Sequence, residues 1–133
     1  MKTNPVELVL AFMEKINAHD VPGLIALLSE DYVLVDSLGH ELSGPDRLKN
    51  GWQAYFQMCP DYWVSHEDVI SSGDVVVVIG SAGGTISKKG ELLPANKWRI
   101  PAAWKAAVKD GKLSRWQIYA DNKPVYDILA RLK

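Results

Sequence analysis

Two hydrophobic periods follow one another along this chain, and their order limits what it can fold into. From residue 5 to residue 59 apolar side chains recur at intervals of three and four, as on helix faces. Beyond residue 62 they lie in short runs rich in Val, Ile and Trp, separated by Gly-Asp, Lys-Gly and Asp-Gly turn signals. Helical patterns first and strand patterns second argue an α+β domain with its helices gathered on one face of an antiparallel sheet.

The helical half resolves into three segments. Asn4 can cap, Pro5 suits the first helical position and Glu7 can close a capping box. Val6, Val9, Leu10, Met13 and Ile16 then form one stripe, with Phe12 beside it. Asn17 to Asp20 break the pattern, and Asp20 can cap a short second helix holding Leu24, Ile25, Leu27 and Leu28. Tyr32 to Val35 reads as a strand ending at a turn marked by Gly39. Ser43 to Asp46 open a third helix with Leu48, Trp52, Tyr55, Phe56 and Cys59 on one side, and Pro60 ends it. In the second half, strands are expected over 62–71, over 75–79 continuing through the glycines to Ile86, over 98–108 and over 113–120. The run 75–79 reads as a buried strand. A short closing helix is expected over 124–133, carrying Val125, Ile128, Leu129 and Leu132.

At 133 residues the chain makes one domain, 1–133. Its formal net charge is −1 and its fifteen basic residues are scattered, which argues against nucleic acid or an anionic membrane as partner. The longest apolar run, Val75 to Ile79, is too short to span a bilayer. A single cysteine, Cys59, excludes an internal disulfide and suits a reducing compartment. With no apolar leader segment in view, the cytoplasm is the expected location.

Candidate chemistry lies in the aromatics and two carboxylates. Trp52, Tyr55, Trp63, Trp98, Trp104, Trp116 and Tyr119, with Tyr32, are numerous enough to wall an apolar pocket, although any one could equally be core. Asp36 and Asp121 each follow an apolar strand, where a sheet presents side chains at its rim. A carboxylate against apolar walls can serve as general acid or base; the structural alternatives are a turn cap for Asp36 and a helix cap for Asp121. His66 is mid-strand and could point inward, His40 could reach the rim, and His19 falls in a turn. No histidine pair or Cys59 partner has metal-ligand spacing, so no metal is expected. Gly80 to Thr85 lacks the Gly-Lys-Ser/Thr ending of a phosphate loop and reads instead as a place where a strand bends.

The stretch from Asn17-Ala18-His19-Asp20 to Asp36, with Ala26-Leu27-Leu28-Ser29-Glu30-Asp31-Tyr32 inside it, resembles the nuclear transport factor two-like superfamily. Ser72 to Val76, Asp110 to Leu113 and Trp116 to Asn122 are similar to its SnoaL-like polyketide cyclase branch. The resemblance implies a cone: a strongly curved mixed or antiparallel sheet wrapped around three N-terminal helices, with an apolar pocket at the open end. It also implies a homodimer through the sheet and cofactor-free chemistry. Asp36 falls where ketosteroid isomerases carry their general base, and Asp121 where the cyclases carry their acid/base carboxylate. Phe12 replaces the isomerase oxyanion Tyr, and Ala103 or Trp104 its acidic partner. One such donor is worth ~10²–10³ in rate, so steroid isomerisation of the usual kind is disfavoured.

The expected function is therefore binding of a small, mostly hydrophobic molecule, with Asp121 and Asp36 as an acid/base pair for cyclase, isomerase or lyase chemistry. Phe12 would form the pocket floor, His66 a polar contact, and Tyr32, Trp52, Tyr55, Trp98, Trp104, Trp116 and Tyr119 the walls. The alternatives are a non-catalytic ligand-binding or dimerising module, and a cone filled completely by its own aromatics.

Overall fold

A computed structural model describes residues 4–133. Met1 to Thr3 lie outside the described residues. Helix α1 spans Pro5–Asn17, α2 Val21–Ala26 and α3 Pro45–Met58, and α4, Lys123–Arg131, closes the chain. The strands are β1 Leu28–Val35, β2 Glu41–Ser43, β3 Trp63–Ser72, β4 Val75–Thr85, β5 Lys97–Lys109 and β6 Lys112–Ala120. They form one six-stranded sheet in the order β2-β1-β6-β5-β4-β3. From β3 to β6 each strand pairs antiparallel with the next, as turn chemistry demands. The sheet becomes mixed at β1, which lies parallel to β6, and the fold is the expected α+β type.

Local sequence explains each helix. Asn4 Oδ1 accepts the Val6 N–H at 2.9 Å, Pro5 fits the first turn, and Leu8, Val9, Phe12, Met13 and Ile16 are buried along one face of α1. Asp20 caps α2 through the Gly23 N–H at 3.0 Å. Its carboxyl is held below the usual range by that backbone donor and by Lys15. Between these helices His19 takes φ 54°, a conformation rare outside glycine. It is held there by stacking on Phe56 (4.1 Å between centroids) and by a 2.8 Å contact of Nε2 with the Tyr62 carbonyl. Asn17 ties α1 to the edge strand β3, donating to the Val64 carbonyl at 3.0 Å and accepting the Val64 N–H at 2.8 Å.

Four details differ from the sequence expectation. Helix α2 stops at Ala26, because Leu27 and Leu28 join the sheet: the Leu27 carbonyl accepts the Leu113 N–H at 2.8 Å and Leu28 registers with Leu113. Strand β1 thus begins four residues before Tyr32. The edge strand β2 and a 3-10 turn over Pro94–Asn96 were not expected. Nor is the 75–79 run buried on both sides: Val76 and Val78 are fully enclosed, whereas Ile79 is 40% exposed on the uncovered outer face. At the glycines of β4 the requirement is close approach. A Cβ at Gly80 would meet the Ser65 carbonyl, and one at Gly83 would lie 2.6 Å from the Trp63 ring. Strand β3 bulges between His66 and Asp68 alongside.

The core lies between the concave sheet face and α1 to α3. Strand β5 delivers Trp98, Ile100, Ala102, Trp104, Ala106 and Val108 inward by strict alternation. Phe12 sits at the centre, 4.9 Å from the Trp116 ring and 6.2 Å from Trp52, and Trp104 stacks on Trp116 at 5.9 Å.

Candidate functional site

The concave face does not fill. A cavity of about 320 Å³ opens at one end of the cone, between the inner sheet face, α3 and α4. Three alanines explain it: Ala82, Ala102 and Ala120 point inward where longer side chains would meet, and Ala102 and Ala120 are cross-strand partners. Helix α3 contributes Leu48, Trp52, Tyr55 and Met58, and α4 contributes Val125, Tyr126 and Leu129. Strands β5 and β6 add Trp98, Ile100, Trp104 and Ile118. Tyr62 completes the wall, 4.8 Å from Tyr55 and 6.0 Å from Trp98. Helix α4 is anchored from its far end: Arg131 donates to Asn96 Oδ1 at 3.1 Å and to the Ala95 carbonyl at 3.0 Å.

Polar groups gather at the mouth. Asp36, at the end of β1, is the one charged side chain on the cavity wall among the described residues. Its Oδ1 accepts the Leu38 and His40 N–H groups, both at 2.9 Å, so the carboxylate also shapes the turn through Gly39. Its Oδ2 lies 3.3 Å from His40 Nδ1 and accepts no backbone donor. Beside it Asn122 donates to Ser37 Oγ at 2.8 Å. The indole N–H groups of Trp52 and Trp98 and the Tyr32 hydroxyl are buried without a hydrogen-bond partner, each at a cost of ~1–3 kcal/mol.

The residues singled out from the sequence separate into three groups. Asp36, Trp52, Tyr55, Trp98 and Trp104 come together on the cavity wall. Phe12, Tyr32 and Trp116 are fully buried behind it and do not line it. Asp121, His66, Trp63 and Tyr119 lie elsewhere. Asp121 is exposed, with Oδ1 accepting the Lys123 N–H at 2.9 Å at the start of α4. The reason is parity: Ala120 faces the cavity, so the next side chain turns away. Tyr119 is 51% exposed on the outer face by the same alternation. His66 is exposed at the β3 bulge. Ser37, Tyr62 and Asn122 line the cavity and were not foreseen as site residues. The same parity would have placed Asn122 inward once Trp116 was known to be. Among the described residues no three His, Cys, Asp or Glu side chains converge on a metal site, and no helix is long and apolar enough to cross a membrane.

Burial pushes the Cys59 thiol up to about 11, with Asp61 reinforcing the shift. Burial likewise raises the Tyr55 and Tyr62 hydroxyls well above the ordinary value. The folded chain thus retains protons that the unfolded chain, with a thiol near 9.0, gives up. Stability is accordingly complete below about pH 9 and falls as the pH rises toward 11. The urea midpoint followed by circular dichroism is expected to hold steady near neutrality and drop through that alkaline window. A midpoint unchanged across it would contradict the assignment.

The sequence profile of the SnoaL-like domain matches residues 9–116. No curated protein matches the chain. Among solved structures, a SnoaL-like polyketide cyclase candidate from Shewanella denitrificans superposes with a TM-score of 0.81 at 18% identity, over 96% of this chain and 97% of that one. IdmH, a polyketide cyclase candidate from Streptomyces antibioticus, gives 0.78 at 20%, over 96% and 99%. A protein with a ketosteroid isomerase-like fold from Catenulispora acidiphila, in complex with trimethylamine, gives 0.78 at 22%, over 92% and 91%. At these identities the structures establish the shared fold, and the profile match over most of the length establishes kinship: the chain belongs to the SnoaL-like domain family.

Proposed function

We propose that the cavity binds a small, mostly apolar molecule and that Asp36 performs proton transfer on it without a cofactor, in cyclase, isomerase or lyase chemistry. One observation carries this reading: a single carboxylate stands on a wall that is apolar and aromatic apart from Ser37 and Asn122 beside it. A base in that position meets a substrate carbon with Oδ2, while Oδ1 is fixed by two backbone donors. Asp121, committed to the start of α4, serves the fold in this reading. The cavity volume lies near the lower end of the ~300–1,000 Å³ range of ligand pockets, so the molecule has one or two rings rather than four.

The test uses 2-tetralone, a two-ring ketone with acidic α-hydrogens. Deuterium exchange at its α-carbon is followed by magnetic resonance beside a binding titration. Asp36→Asn is expected to slow catalysed exchange by ~10²–10⁴, the usual worth of a general base, and Asp121→Asn to leave it unchanged. If the ketone binds but Asp36→Asn exchanges as fast as the parent, the protein is a binding module. If it does not bind, the cavity reading fails for this class.

A second copy of the chain is proposed to cover the outer sheet face. Cross-strand neighbours share a face, and Ile79, Ala103 and Tyr119 are consecutive partners across β4, β5 and β6. Ile70, 57% exposed, pairs with Val77 in the adjoining row. Asp68 beside Ile79 and Lys105 beside Val77 carry opposite charges, which a two-fold axis can pair. Sedimentation velocity is expected to show a dimer, and Ile79→Lys with Tyr119→Ser a folded monomer; a parent monomer at all concentrations rejects it. The buried free thiol of Cys59 suits the reducing cytoplasm proposed as location.

A further inference from the structure

We infer that the molecule held in this cavity is a cation: a compact hydrophobic amine or ammonium ion. The inference rests on the binding reading above and adds its charge class. Tyr55, Tyr62 and Trp98 form a continuous aromatic wall, with centroids 4.8 and 6.0 Å apart. Trp52 and Trp104 extend it to the cavity floor. The faces of such rings are electronegative and attract a cation, most strongly where water is excluded. The Asp36 carboxylate at the mouth adds attraction of the same sign.

No lysine, arginine or histidine lines the cavity among the described residues. The basic groups nearest in the chain are engaged elsewhere. Lys123 pairs with Asp127 at 2.7 Å, Arg131 holds Asn96, and His40 lies outside the wall against Asp36, largely exposed. An anionic ligand would therefore be stripped of water with no counter-charge and no charged donor to replace it. A neutral ligand fits the shape of the site but gains nothing from the negative charge of Asp36 or from the electronegative ring faces.

The experiment uses three probes built on one benzyl frame, titrated by calorimetry into the full chain. Benzyltrimethylammonium carries the charge. Neopentylbenzene has the same shape with carbon in place of nitrogen. Phenylacetate carries a negative charge. The ammonium ion is expected to bind about tenfold or more tighter than its neutral twin, as a desolvated cation–π contact implies, and phenylacetate not to bind. Asp36→Asn is expected to narrow the gap between the first two, with the fold checked by circular dichroism. Neopentylbenzene binding as tightly as the ammonium ion overturns the inference and leaves the binding reading intact. Failure of both to bind overturns the binding reading and the inference with it.

Discussion

Ala102→Phe is expected to weaken ligand binding by roughly ten- to hundredfold while leaving the protein as stable as the parent, or more so. Ala102 points inward from β5, opposite Ala120 and beside Gly80, at the narrowest side chains of the concave face. The added ring enters open space, so the usual ~1–3 kcal/mol penalty for overfilling a packed core does not apply. It gains burial instead, and a phenyl side chain fully removed from water is worth ~1.5–3 kcal/mol. The same volume is then denied to a ligand, whose own burial is lost on a similar scale, which is the stated loss of affinity. The opposite signs make the result informative. A variant that loses stability and affinity together would mean that the space between the alanines closes up in solution, and the cone is filled. Thermal melting and a titration with 2-tetralone read the two quantities separately.

Phe12→Ala is expected to do the reverse and to threaten the fold itself. Phe12 is wholly buried and joins α1 to α3 through Trp52 and to β6 through Trp116. Removing a buried phenyl ring costs ~3–5 kcal/mol. A domain of this kind has ~5–15 kcal/mol in total. The urea midpoint should therefore fall by roughly a fifth or more of its value, and the cavity wall should loosen with it, because Trp52 and the Trp104–Trp116 stack lose their common support. A loss below about 1 kcal/mol would show that the surrounding rings collapse into the space, which the measured spread of such substitutions permits only at sites able to close. Phe12 therefore supports the site from behind. The sequence comparison set it at the position of an oxyanion donor, and a phenyl ring has nothing to donate.

Much of this was legible in the chain before any coordinates. The helical spacing of Val9, Met13 and Ile16, the Asn4 and Asp20 caps and the turn glycines at 73 and 111 are local signals, and each element they mark is present. The parallel pairing of β1 with β6 is different in kind. It joins Leu28 to Leu113 across most of the chain, and no local pattern encodes a partner that distant. The early end of α2 follows from the same contact, since Leu27 and Leu28 continue a helical stripe and are taken into the sheet only because β6 is there to receive them.

The site was half legible for a related reason. Composition showed that the wall would be aromatic but not which rings would face it. That choice depends on strand parity, and one known inward residue fixes the rest. With Trp116 inward, Ile118, Ala120 and Asn122 follow, and Tyr119 and Asp121 turn out. Asp36 and Asp121 looked equivalent because both end strands. They part because β1 ends in a tight turn at the mouth, while β6 runs on into α4. The emptiness of the cavity came from residues that attract no notice in a sequence, the three alanines at 82, 102 and 120.

The measurement that bears most directly on the central claim is a titration watched at the indole N–H resonances of the five tryptophans. Four are internal, and Trp63 lies outside over Gly83, beneath the Arg99 guanidinium at 5.4 Å. With benzyltrimethylammonium or 2-tetralone as ligand, the signals of Trp52, Trp98 and Trp104 should move together and saturate with one affinity, Trp116 should respond weakly, and Trp63 should stay still. Movement confined to Trp63, or no movement in any of the five, would contradict a ligand cavity inside the cone.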